Sequence, residues 1–178
     1  MIAPLIPYGI KGVLWYQGET GGDGGYDHRM RALVGGWRQH WGLGDLPFYF
    51  VQLPGFGKPN ENPAGGDGWV GVRAAQFRAQ SITNTGMIVT IDIGEAKEIH
   101  PRNKFDVGTR LARLALARDY GQKDIIVSGP YFKEAKIEGD KVRLFFDNIG
   151  PGLMVGKKEG RAPVAEDKEG KLRHMAIA

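Results

Sequence analysis

The sequence predicts an α/β fold, a parallel sheet with flanking helices followed by a β-rich segment. Short apolar runs with the character of strands buried on both faces alternate with helical-period stretches as far as residue 122. Each run ends in a glycine-rich or polar turn. From Lys123 the texture changes to short strands separated by Gly and Pro turns, which divides the chain into 1–122 and 123–178.

The length of 178 residues suffices for one domain with a sizeable core, or for one domain and part of another. Hydrophobic residues at 42% and charged ones at 25% are globular values, so disorder is not expected. The net charge of +4 is spread among both signs, which reads as solubility rather than nucleic-acid binding. Absence of cysteine excludes disulfides, zinc-thiolate sites and a cysteine nucleophile, and leaves the compartment open. No apolar run approaches the roughly 18 residues of a membrane span. The first residues carry Pro4 and Pro7 but no basic stretch, so they are not a signal peptide. They read as an extended segment entering the protein in mid-structure.

Val13, Leu14, Trp15 and Tyr16 form the first strand. It ends in Gln17-Gly18-Glu19 and a glycine-rich loop, which sets an amide and a carboxylate where open α/β sheets hold their ligands. Residues 26–41 are helical, with Met30, Leu33, Val34, Trp37 and Trp41 on one stripe. Gly35 and Gly36 weaken that helix by about 1 kcal/mol each, a cost that suggests close packing there. Residues 48–53 are the second strand, 54–68 a long polar loop and 69–81 a second helix. A turn over 84–86 leads into a third strand, 87–93, and a helix over 103–120 stops at Gly121. Strands follow at 125–127, 135–138 and 142–146, the last two joined by a Gly139-Asp140 hairpin turn.

His100 has the setting of a general base. It follows the third strand by a short loop, with Glu95 and Glu98 nearby to orient it, although a surface histidine fits the spacing equally well. His28, His40 and His174 read as structural or solvated. Glu19 and Asp92, at the ends of neighbouring parallel strands, suit either glycoside hydrolysis or assistance to a histidine. Gln17 can donate to an oxyanion. Arg73 and Gln76, three apart on one helix face, read as surface contacts on their own. The sequence has two serines, Ser81 and Ser128, and neither sits in the strand-to-glycine turn that exposes a nucleophile. Thr20 beside Glu19 is a poor substitute. Base and acid are present; the nucleophile is not.

Several stretches then occur in a telling order: Gly-Val-Leu-Trp-Tyr-Gln-Gly-Glu at 12–19, the pairs Trp37-Arg38 and Trp41-Gly42, and Pro-Phe-Tyr-Phe-Val-Gln-Leu at 47–53. Arg73-Ala74-Ala75-Gln76, Asp92-Ile93-Gly94 and Ile99-His100-Pro101-Arg102-Asn103-Lys104 follow. In these the sequence resembles the sialate O-acetylesterase family of SGNH-type hydrolases, from Met1 to Gly121 and more weakly through the β part. The resemblance implies a flavodoxin-like hydrolase that removes O-acetyl groups from sialic acid or other sugars, with a serine nucleophile and a histidine base. No cofactor, metal, nucleic-acid partner or membrane partner is expected, and full-length relatives are expected to be secreted or periplasmic.

By the same resemblance His100 matches the catalytic histidine, and Glu19 the acid of the Gln-Gly-Glu motif. Gln17 matches an oxyanion donor, and Gly18, Arg73 and Gln76 fall in the oxyanion and substrate positions. Such hydrolases often carry an aspartate three residues before the histidine. Lys97 stands there, leaving Glu98, Glu95 or Asp92 to orient His100, and Thr20-Gly21 replaces the common Ser-Asn. The family's serine block lies upstream of a segment like the one that opens this sequence. The expectation is therefore an esterase domain truncated at its N-terminus, with an exposed sheet edge and no serine-esterase activity alone. Three rival expectations stand beside it. One is a non-catalytic carbohydrate-binding remnant using Trp15, Trp69 and the tyrosines, one an acid/base glycosidase using Glu19 and Asp92, and one a fragment that does not fold alone.

Overall fold

The computed structural model describes residues 2–20, 25–58 and 69–149. Its centre is a parallel sheet of β1 (Val13–Trp15), β2 (Phe48–Val51) and β3 (Thr85–Ile88), in that order. Val13 faces Phe48, and Phe48 faces Thr85. The middle strand is apolar at every position because both of its faces are covered. Phe48 and Phe50 join Met30, Val34, Val72 and Ala75 of α1 (Tyr26–Trp41) and α2 (Val70–Ala79). Tyr49 and Val51 join Val107, Leu111 and Leu114 of α3 (Lys104–Asp119) on the other face. Strand alternation thus splits the core into two halves, each closed by helices. The side chain of Asn103 caps α3 by accepting the Asp106 N–H.

The third strand differs from the sequence reading of 87–93. It begins at Thr85, and Gly86 is a strand residue rather than part of a turn. A β-carbon at Gly86 would meet Leu114 Cδ2 and Arg118 Nη1 at 2.8 Å, so glycine lets α3 lie close on the sheet. The turn falls on Asn84, at φ 49°. The strand ends early because the buried hydroxyl of Thr90 donates to the Gln52 carbonyl at 2.6 Å, and the chain continues as a 3-10 turn, Ile91–Ile93. Asp92 therefore sits in this turn and not at a strand end. Gly35 and Gly36 face open space, so the expected close packing there is absent. Residues 125–127 form no ladder; Val127 packs on the α3 half of the core, and Ile126 lines a cavity beside β3.

A separate hairpin pairs β4 (Tyr131–Glu138) with β5 (Lys141–Asp147) around Gly139, at φ 65°. An irregularity between Phe132 and Glu134 shifts the register, so that Ile137/Val142, Ala135/Leu144 and Phe132/Phe146 all share one apolar face. Glu134, Lys136, Glu138 and Arg143 share the other, with ion pairs Lys136–Glu134 and Arg143–Glu138. The rest of the 123–178 segment, from residue 150 and including His174, lies outside the described residues, as do most of the 54–68 loop and residues 21–24. Among the described residues no strand pairs with the outer side of β1, and Leu14 there is 61% exposed. No helix is long and apolar enough to cross a membrane among the described residues.

Candidate active site

Three parallel strands bring their carboxyl ends to one edge of the sheet, and two buried polar residues tie those ends together. Gln76 on α2 is only 1% exposed, so the surface reading of it is corrected. Its Oε1 accepts the Leu53 N–H at 2.9 Å after β2. Its Nε2 donates to the carbonyls of Gln17 and Val51, each at 3.3 Å. A helical glutamine thereby satisfies backbone groups that lose their partners where the strands stop. Thr90 does the same between the ends of β3 and β2.

Gln17 is held from its other side by Tyr26. That hydroxyl lies 2.6 Å from the Gln17 carbonyl and 3.1 Å from its Oε1, and it accepts from Trp15 Nε1 at 3.3 Å. Burial raises the Tyr26 phenol pKa, which keeps it a donor. With Oε1 beside that hydroxyl, Nε2 is the half of the amide left to donate to an oxyanion. Gly18 packs against Gln76 Nε2 and Leu53, which a β-carbon would meet at 3.1 and 3.2 Å. Its N–H donates to Glu19 Oε2 at 2.9 Å, so Glu19 folds back on its own strand end.

The segment carrying His100 is fastened to the same edge. A β-carbon on Gly94 would collide with the backbone of Gly55, and Gly57 N–H donates to the Ala96 carbonyl at 3.1 Å. Beyond His100, Lys104 Nζ stands 4.9 Å from the centre of the Tyr16 ring, the residue next to Gln17. Burial and the nearby Glu19 charge raise the Tyr16 phenol pKa. Within the loop, Glu95 accepts the Arg102 N–H at 2.8 Å. Glu98 Oε1 accepts the His100 N–H at 3.0 Å and lies 3.8 Å from Nδ1. Asp92 instead forms a two-pronged pair with Arg110, at 2.7 and 2.6 Å, and this raises the guanidinium pKa. Of the candidate carboxylates, Glu98 is the one the fold brings to His100, whose side chain is 79% exposed.

Arg73 donates from Nη1 to the Pro54 carbonyl at 3.3 Å, and its own carbonyl accepts from Gln52 Nε2 at 3.1 Å. Ser81 lies in the turn between α2 and β3, at the opposite edge of the sheet, where it accepts from Arg31 Nη2 at 3.4 Å. Ser128 accepts from Asn148 Nδ2 at 3.1 Å and borders the cavity beside β3. His28 and His40 are exposed on α1. Tyr26 and Thr90 escaped the sequence reading, although a tyrosine opening the first helix directly after the glycine loop was a usable pointer.

Residues 4–117 match the family described as carbohydrate esterase, sialic acid-specific acetylesterase. The sialate O-acetylesterase of Rattus norvegicus is 33% identical over 154 residues, covering 77% of this chain and 28% of the rat protein. That of Homo sapiens is 32% identical over 150 residues, covering 73% and 28%. A carbohydrate acetylesterase from Xanthomonas citri, known from its crystal structure, superposes with a TM-score of 0.68 at 40% identity, covering 81% of this chain and 34% of that one. The chain thus spans 28% of the length of these rat and human relatives.

Proposed function

The chain belongs to the family of sialic acid-specific acetylesterases among the carbohydrate esterases, and from this we propose that it supplies the base and oxyanion side of a serine-type O-acetylesterase centre. The observation that carries this reading is the fastening of the His100 loop, with Glu98 beside His100, to the sheet edge that ends in Gln17. His100 takes the proton from a serine hydroxyl as that oxygen attacks the acetyl carbonyl, while Glu98 orients the imidazole and offsets its positive charge. Gln17 Nε2 donates to the developing oxyanion. The sugar hydroxyl leaves with the proton from His100, and water, deprotonated by His100, then releases acetate from the acyl-serine. The substrate is an O-acetylated carbohydrate, with O-acetylated sialic acid the first to test.

Neither Ser81 nor Ser128 is hydrogen-bonded to His100, so we assign the nucleophile to a segment outside these 178 residues. The chain alone is expected to release no acetate from O-acetylated sialic acid or p-nitrophenyl acetate. Turnover that His100→Ala abolishes, with no added segment, overturns the assignment of the nucleophile. When the chain is joined to a nucleophile-bearing segment, His100→Ala is expected to lower kcat at least about a thousandfold. An unchanged kcat removes His100 from the mechanism.

A further inference from the structure

Phe56 and Trp69 stack with ring centroids 5.2 Å apart and planes 27° from parallel. Trp69 packs against the core half that α1 and α2 close, while Phe56 is 39% exposed. An aromatic on a surface loop is often only loosely held, but Phe56 is not. The residue before it, Gly55, is in backbone contact with Gly94, and the residue after it, Gly57, donates its N–H to Ala96 at 3.1 Å. Gly94 and Ala96 belong to the segment that carries His100. Trp69 is fixed in its turn at the start of α2, its carbonyl accepting the Arg73 N–H at 2.8 Å. Arg73, four residues on, lies on the same helix face and reaches the Pro54 carbonyl, two residues before Phe56.

An aromatic pair, a guanidinium and the histidine loop therefore share one rim of the sheet edge. We infer that Phe56 and Trp69 form the sugar-stacking wall of the site. They would hold a pyranose ring by its apolar C–H face, with its acetyl ester on the side of the His100 loop. The inference rests on the acetylesterase reading and deepens it. A pyranose offers flat C–H faces and polar edges, and a rigid aromatic binds such a face with little loss of side-chain freedom. Contact made on the ring, away from the ester, fixes the reacting group in place, so the wall separates acetylated sugars from simple acetate esters.

The test is calorimetric titration of the full 178-residue chain with the methyl glycoside of an O-acetylated sialic acid, which needs no turnover. Phe56→Leu keeps apolar bulk but removes the ring, and is expected to weaken binding about three- to tenfold. Phe56→Tyr keeps the ring and is expected to bind as the parent does, with the melting temperature of both variants unchanged. Equal binding by the parent chain and Phe56→Leu overturns the wall and leaves the esterase reading standing. A loss in Phe56→Tyr as large as in Phe56→Leu also overturns it. If the parent chain binds neither the acetylated sugar nor its deacetylated form, the carbohydrate reading falls, and the wall with it.

Discussion

Gln76 is a single side chain joining the ends of two strands and a helix. Replacing it with leucine keeps the volume but strands the Leu53 N–H and the carbonyls of Gln17 and Val51. Gln76→Leu is expected to destabilise the chain by about 2–4 kcal/mol, read from urea denaturation. Gly94 has a different role, because its lack of a side chain permits the contact with Gly55. Gly94→Ala is expected to cost about 1–3 kcal/mol and to speed amide exchange at Gly57, whose bond to Ala96 depends on the same contact. The tyrosines set a pH limit. Burial, followed by the hydrogen bond to Asp119 Oδ2 at 2.7 Å, raises the Tyr49 phenol pKa, and burial raises that of Tyr26. Both folded pKa values lie above the ordinary value of about 10. The stabilisation is therefore complete below about pH 10 and is lost as pH rises through the folded values. Urea midpoints between pH 9 and pH 11 should fall toward the alkaline end, and less steeply in Tyr49→Phe.

Helices and strands differ in how far their own residues dictate them. Tyr26–Trp41 forms as its apolar stripe predicts, and α3 ends at the expected glycine with Asn103 as its cap. Those cues are local, lying within a few residues of the groups they satisfy. The third strand was legible only in outline, because Thr85-Gly86 looks like a turn until α3 packs on it. The hairpin shows the reverse case, with a ladder interrupted only between Phe132 and Glu134 and an apolar face left open among the described residues. Ile137 is 84% exposed, so Ile137→Thr is expected to change stability by less than about 0.5 kcal/mol. The same substitution should reduce self-association in light scattering, because it interrupts a continuous apolar strip. A large loss of stability would mean that the strip is covered in solution.

At the scale of the whole molecule, β2 divides the core and the parallel order gathers the carboxyl ends of β1, β2 and β3 at one edge, to which the loop carrying His100 is fastened. Motif order in the sequence carried the family, and the parallel sheet with flanking helices followed from alternating buried runs. Strand patterns, helical periods and short motifs are properties of neighbouring residues, so a linear reading reaches them. The partners of Gln17 and Asp92 are not of that kind. Residues 92 and 110 meet only when α3 turns back along β3, and residues 17 and 76 only when α2 lies across two strand ends. By itself the sequence determined the fold class, the candidate histidine and the carboxylates beside it. Tertiary packing alone decided that Asp92 belongs to Arg110 and that Gln76 is buried, because that burial and that charge pairing depend on segments that are distant in the chain.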